Sequence, residues 1–207
     1  MRVCTHIHCD DLSCTGVNHE AYVVPDVDLD PDQVSIVLIS EAAPPDPTEY
    51  YYAPGDPLFK QTTVQAFRDA GADVTSIRDI LDLGVYLTTA VKCGKVGYTI
   101  KAAPIVACSL LLECELALFP NLQAYLLMGD VAIKAVNAIA RRAGEPRVIP
   151  AGSTYKIRGA TYTWRGRRAY PSYTQAGPSF FIEKSKRQMI AEDIAAALAV
   201  VQGSRAT

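Results

Sequence analysis

The stretch "VSIVLISEAAPPDPTEYYYAPGDP", residues 34–57, decides the class of fold that we expect. Its first six residues, Val34 to Ile39, form a short, almost continuous apolar run rich in β-branched side chains, which is typical of a strand buried on both faces. The part from Ser40 to Pro57 contains five prolines, which exclude a continuous helix or a central strand. The stretch therefore predicts a buried strand that is followed by a long, stiff loop.

Segments with strand patterns alternate with segments of helical spacing along the rest of the chain. Helices are predicted over 61–71, 74–83, 102–118, 130–143 and 181–202, and Asp130 is a natural N-cap for the fourth of these. Further strands are predicted over 85–91, 122–128 and 168–170, with a hairpin formed by residues 154–158 and 161–165. We therefore expect one α/β domain over residues 1–207, a three-layer α/β/α arrangement with a central, mainly parallel four-stranded sheet.

A parallel sheet of this kind places its functional site at the carboxyl ends of the strands. The loops after Ile39, Val91, Met128 and Tyr170 are therefore expected to converge. The longest apolar runs are too short to cross a bilayer, and the first residues lack the apolar stretch of a signal peptide, so we expect a cytoplasmic protein.

Charge is distributed unevenly, although the formal net charge is only -2. Residues 1–60 contain eleven acidic side chains against two basic ones, whereas residues 131–190 contain twelve basic side chains against two acidic ones. The basic third is either a surface that faces phosphates or a solvated face balanced by the acidic one.

The six cysteines are the second informative feature, because a reducing compartment favours metal, cluster or catalytic thiols over disulfides. Cys4, Cys9, Cys14 and Cys93 lie in segments expected to be loops or loop edges, and Cys108 lies in a predicted helix. This pattern is compatible with a metal site of thiolates, for which zinc is one candidate metal and His6 and His8 lie nearby in the sequence. It is also compatible with a set of unligated thiols.

Four motifs in order resemble the iron-sulfur-containing members of the uracil-DNA glycosylase superfamily. "VYLTTAVKC" at 85–93, Cys108 after fourteen intervening residues, and "LFPNLQAYLLMGDVAIKAV" at 118–136 resemble the middle of these proteins. "LISEAAPP" at 38–45 resembles their first motif and "AYPSYTQAGPS" at 169–179 their last, so the resemblance spans about residues 4 to 200.

The resemblance implies a structural 4Fe-4S cluster, bound by Cys93, Cys108 and two of Cys4, Cys9 and Cys14 in an N-terminal segment of residues 1–30. Family members usually space the first two cysteines two residues apart, whereas here the intervals are four and four. Zinc is the alternative metal. His19 is interpreted as a surface residue.

The resemblance also implies a DNA glycosylase that hydrolyses the bond between sugar and base at uracil or another damaged base. Glu41 matches the motif carboxylate, with Asp46 and Glu49 as rivals in the same loop, and Phe59 resembles the aromatic residue that stacks on the flipped base. Two positions depart from the family, since Thr89 replaces the asparagine that reads uracil and Tyr170 replaces the motif histidine of the leaving-group loop.

The resemblance implies DNA, damaged or single-stranded, as the partner. We expect the protein to act as a monomer and not to associate with a membrane. Ser172 is expected on the loop pressed into the DNA, and Arg165, Arg167 and Arg168 are expected to meet phosphates or to serve as solvated hairpin residues. Two alternatives follow from the departures: a catalytically silent protein that binds lesions or single strands, and a protein that uses the fold for another small-molecule reaction.

Overall fold

The computed structural model describes residues 1–205, in which six strands and seven helices are found. The strands are β1 (Val17–Asn18), β2 (Ile36–Ala43), β3 (Val85–Lys95), β4 (Ala124–Met128), β5 (Tyr162–Trp164) and β6 (Arg167–Ser172). The helices are α1 (Leu58–Asp69), α2 (Ile77–Asp82), α3 (Ala102–Leu116), α4 (Asp130–Arg142), α5 (Thr154–Ile157), α6 (Ser179–Ile182) and α7 (Lys184–Arg205).

All six strands belong to one sheet in the order β1-β3-β2-β4-β6-β5. The four inner strands, β3, β2, β4 and β6, are parallel, and β1 and β5 pair antiparallel at the two edges. The predicted α/β class and its parallel four-stranded centre are confirmed, and the edge strands enlarge the sheet. The carboxyl ends of all four inner strands consequently lie at one edge of the sheet, and their amino ends lie at the other.

Each face of the sheet carries its own apolar core. In β2, Val37 and Ile39 pack against α3 and α4, while Ile36 and Leu38 pack against α1, α2 and α7. All four side chains are fully buried, as the apolar run predicts. None of the helices described in residues 1–205, the long α7 included, combines the length and apolarity needed to cross a bilayer.

The predicted hairpin is wrong in its first strand. Residues 154–157 form the short helix α5, and the hairpin pairs β5 with β6 instead. Its turn is Arg165–Gly166, and both residues have positive φ. Strand β6 includes the predicted strand 168–170 and continues to Ser172, so Tyr170 lies inside it and not in the leaving-group loop that the resemblance implies.

Helix boundaries show two further differences from the sequence prediction. The N-cap of α4 is Gly129, and Asp130 is the first helical residue. The last predicted helix is divided into α6 and α7, yet its apolar stripe is confirmed, since Ile190, Ile194 and Val201 are buried. Strands β2 and β3 also extend four residues beyond their predicted ends at Ile39 and Val91.

The N-terminal segment, residues 1–30, lies along the outer edge of β3. Strand β1 pairs with the end of β3, with Val17 opposite Lys95, and the amide of Val23 donates to the carbonyl of Lys92 at 2.8 Å. The amino terminus of Met1 is held by the Asp28 carboxylate at 2.9 Å. This segment thereby brings its cysteines next to the end of β3.

Candidate active site

A cleft of about 380 Å³ opens at the carboxyl edge of the sheet. We call it the Glu41 cleft; its wall includes Glu41, Phe59, Lys95, Tyr98, Gly177 and Ser179. The loops after β2, β3 and β6 contribute to this wall, and the turn after β4 reaches it through Gly129, which lies against Glu41. The predicted convergence of four loops is therefore confirmed.

Glu41 is held between an ammonium group and a glycine. Lys95 Nζ donates to Glu41 Oε2 at 3.2 Å, and both side chains remain partly exposed. A Cβ atom on Gly129 would lie 2.8 Å from Cγ and Oε1 of Glu41, so only a glycine leaves room for the carboxylate there. The φ angle of Gly129, +103°, also suits glycine alone.

Lys95 is the residue of this site that the sequence analysis missed. It ends β3, four residues beyond the predicted end of that strand, and β3 runs parallel to β2. The signal that was available is its position just after Cys93, where a continued strand carries the side chain to the same edge as Glu41.

Phe59 lies in the cleft wall, and a buried polar network packs behind its ring. Its ring packs on Tyr51 with centroids 5.2 Å apart. The Tyr51 hydroxyl bonds to Ser40 and accepts from Gln175 Nε2 at 3.1 Å, and Gln175 Nε2 also donates to Thr63 Oγ1 at 3.3 Å. Burial raises the pKa of Tyr51 well above its usual value, so this phenol stays protonated. The network ties the loop after β6 to the end of β2.

Several predicted site residues lie outside the cleft wall, and three of them are buried in strands. Thr89 is fully buried in β3, and its side chain is not part of the cleft wall. Tyr170 packs in the core beside α7, and its hydroxyl donates to the carbonyl of Ala196 at 3.3 Å. Ser172 is fully buried at the end of β6, which contradicts its expected place on an exposed loop.

Asp46 serves as a backbone cap. Its Oδ1 accepts from the Thr48 amide at 2.9 Å and from the Thr48 hydroxyl at 2.7 Å, and these hydrogen bonds lower the pKa of the carboxyl. The side chain is exposed and is not part of the cleft wall. Glu41 is thus the one carboxylate in the cleft wall within residues 1–205.

The three arginines predicted to meet phosphates lie at the opposite edge of the sheet. Arg168 is opposite Ala124, the first residue of β4, so it marks the amino ends of the strands. Arg165 is neutralised by Glu113 and Glu145, each at 2.9 Å, and Arg167 donates to the carbonyl of Leu122 at 2.9 Å. These side chains cannot contact a ligand held in the Glu41 cleft.

A second cavity, of about 320 Å³, collects four of the cysteines. Cys9 and Cys14 from the N-terminal segment line it together with Cys93 from β3 and Cys108 from α3. Burial raises the pKa of the Cys93 thiol to about 12, and negative charge on the other three sulfur atoms adds to the effect. We call this space the cysteine cavity.

Cys4 does not line the cysteine cavity; its thiol donates to Asp26 Oδ1 at 3.4 Å. His19 does line it, so its interpretation as a plain surface residue is wrong. His19 Nδ1 lies 3.3 Å from Cys93 Sγ, and Nε2 lies 2.7 Å from the Cys14 carbonyl, which can only accept a hydrogen bond. Among residues 1–205, no group of three or more His, Cys, Asp or Glu side chains is arranged so that it could hold a metal ion.

No protein-family model and no curated protein sequence matches this chain. Among solved structures, the crystal structure of wild-type UNG, a uracil-DNA glycosylase, from Nitratifractor salsuginis is similar with a TM-score of 0.36 and 15% sequence identity. The alignment covers 82% of this chain and 75% of that chain. Similarity at this level does not assign a family or a function.

Proposed function

We propose that the protein is a DNA glycosylase that hydrolyses the N-glycosidic bond of uracil or another deaminated base. The observation that carries the proposal is the Glu41 cleft, where one carboxylate and the aromatic ring of Phe59 share a wall at the carboxyl edge of a parallel sheet. The order of the four sequence motifs supports the same class of reaction.

The reaction requires a carboxylate where positive charge develops on the sugar. Water forms a bond to C1' while the bond from C1' to the base nitrogen breaks, and the electron pair leaves with the base. Glu41 stabilises the cationic sugar and accepts a proton from the attacking water, and Phe59 offers its face to the flipped base. The departing base then takes up a proton from solvent.

The proposal includes a structural 4Fe-4S cluster in the cysteine cavity. It is supported by the four cysteines that share this cavity, since four thiolates are the usual ligand set of such a cluster. In the described residues the four thiols are not arranged as a metal site, so their side chains would have to turn toward one another to bind it. Cys9, Cys14, Cys93 and Cys108 would hold it, and the bound cluster would supply a structural cross-link. It would fasten residues 9–14 to β3 and α3. Because such thiols must stay reduced, the proposal includes a cytoplasmic location, with the protein acting on DNA as a monomer.

A panel of oligonucleotides, each with one deaminated base in single- or double-stranded form, tests the activity of the anaerobically purified protein. We expect base release, and we expect Glu41→Gln to slow it by at least about 100-fold because the amide carries no negative charge and accepts no proton. Asp46→Asn is the matched control and should retain the rate within about twofold, because Asp46 lies outside the cleft wall. Release that survives Glu41→Gln would contradict the assignment of Glu41.

The positions of Thr89 and Tyr170 favour a second candidate, a catalytically silent protein that binds DNA lesions or single strands. Neither side chain lines the cleft, so neither can read the base edge or assist its departure as the corresponding family residues do. DNA affinity that falls with salt, without base release from any substrate of the panel, would support this candidate over the glycosylase.

A further inference from the structure

Lys95 is the one cation in the wall of the Glu41 cleft within the described residues. The arginines expected to meet phosphates lie at the other edge of the sheet. Arg165 is engaged by carboxylates, Arg167 donates to a backbone carbonyl, and the Arg168 guanidinium lies over the ring of Tyr170. A strand whose nucleotide enters the cleft must bring its phosphates to the cleft rim, so Lys95 is the positive charge available to meet them.

The ion pair between Lys95 and Glu41 is weak enough for the Lys95 ammonium to leave the carboxylate for a phosphate. Lys95 retains 30% and Glu41 23% of their side-chain exposure, so water screens the pair and the ion pair is weak. An ammonium group on a flexible stem binds phosphate as a point charge and does not require one fixed geometry. Moreover, an ammonium 3.2 Å from the carboxylate opposes the positive charge that Glu41 has to stabilise on the sugar.

We propose that Lys95 changes partner when nucleic acid binds: its ammonium leaves Glu41 for a backbone phosphate and so uncovers the catalytic carboxylate. This inference rests on the proposed function, which identifies the ligand as DNA. It adds that Lys95 contacts a phosphate and that DNA binding frees the Glu41 carboxylate from its ion pair. Lys95 is accordingly a binding residue for the strand, and it covers Glu41 only in the free protein.

The binding arm uses a duplex that carries one tetrahydrofuran abasic analogue, a probe that requires no base release. Lys95→Met is expected to weaken binding and to reduce the slope of log affinity against log salt by about 0.9, the value for one lost phosphate contact. Lys95→Arg should restore the slope, since a guanidinium also binds phosphate. Arg141→Met, which removes an exposed cation at the far end of α4, should leave it unchanged. An unchanged slope in Lys95→Met would overturn the inference.

The kinetic arm separates a phosphate contact from a purely structural role. If Lys95 has left Glu41 in the bound state, Lys95→Met should raise KM by about tenfold and alter kcat by less than about threefold. A fall in kcat with unchanged KM would mean that Lys95 orients Glu41 during the reaction, and that result would overturn the exchange.

The two arms also distinguish this inference from the proposed function. A reduced salt slope without base release by the wild-type protein would retain the phosphate contact and reject the glycosylase. Base release by the wild-type protein with an unchanged salt slope in Lys95→Met would retain the glycosylase and reject the phosphate contact. Absence of DNA binding by the wild-type protein at low salt would reject both.

Discussion

Gly129 makes room for the carboxylate of Glu41 at the start of α4, and this gives a prediction at the scale of one residue. In Gly129→Ala the new Cβ would meet Glu41 at 2.8 Å, and an alanine at a φ of +103° is strained. We expect a loss of about 1–3 kcal/mol in the free energy of unfolding, together with loss of base release because the carboxylate is displaced. Chemical denaturation and the release assay measure the two effects.

Gly144→Ala is the matched control for this prediction. Gly144 also has a positive φ, +72°, but no atom lies within 4 Å of its would-be Cβ. It should therefore lose stability through backbone strain and keep its activity. Equal loss of activity in both variants would mean that Glu41 does not depend on the space at Gly129.

Single residues also show how far the sequence defines the site. Glu41 and Phe59 could be located from motifs, because both stand at fixed points after a recognisable strand and loop. Thr89, Tyr170 and Ser172 occupy motif positions as well, but their side chains point into the core, and a motif does not state the side-chain direction. Lys95 was missed because the strand pattern was ended at Val91, four residues early.

At the scale of elements, one ion pair joins the end of α1 to the start of α7. Arg187 Nη2 donates to Asp69 Oδ1 at 2.8 Å, and Arg187 Nε contacts Oδ2 of the same carboxylate. This hydrogen bonding lowers the pKa of Asp69 below its usual value. Asp69→Asn should therefore reduce the free energy of unfolding at neutral pH by about 0.5–1 kcal/mol, an estimate suited to a partly exposed pair.

The same pair predicts a dependence on pH. Because the folded protein holds the pKa of Asp69 below the unfolded value of about 4, the stabilisation is present above that unfolded pKa. It is lost as pH falls through the folded pKa, so wild type and Asp69→Asn should converge in stability at low pH. Asp82→Asn, which removes an exposed pair within α2, is the control and should show little effect at any pH.

Helices and strands could be predicted where the hydrophobic pattern was long, and the prediction failed where the pattern was short. The buried strand β2 and the helices α1, α3 and α4 follow from apolar runs and helical spacing. Residues 154–158 alternate in polarity as a strand does, yet Ile157 is buried while Tyr155 is 72% exposed, so they share no face. The real turn, Arg165–Gly166, has positive φ at both residues but an arginine where asparagine is the usual signal.

On the scale of the whole molecule, topology decides which charges and thiols act together. The basic C-terminal third contains Arg165, Arg167 and Arg168, but the direction of β6 carries them to the edge opposite the Glu41 cleft. The resemblance groups the cysteines as a set, whereas which of Cys4, Cys9 and Cys14 line the cysteine cavity depends on how residues 1–30 run along β3. A sequence pattern does not contain that path.

The proposed 4Fe-4S cluster in the cysteine cavity predicts which thiols the anaerobically purified protein needs to retain iron. Cys14→Ser removes a thiol from the cavity, whereas Cys4→Ser changes one that faces Asp26 outside it. We expect Cys4→Ser to keep the iron and sulfide content of the wild type, and Cys14→Ser to lose most of both because a hydroxyl is a poor ligand for iron in such clusters. Metal analysis and visible absorbance of the two variants provide the comparison.

Loss of the cluster should also loosen the whole N-terminal segment, since the cluster would be its covalent link to β3 and α3. We therefore expect amides of residues 9–14 to exchange hydrogen faster in Cys14→Ser than in Cys4→Ser, while amides of β2 and β4 stay protected in both. If the metal analysis finds zinc and no iron in the wild type, the cysteines hold a single zinc ion and not a cluster. Equal iron in both variants would contradict the choice of Cys9, Cys14, Cys93 and Cys108 as ligands.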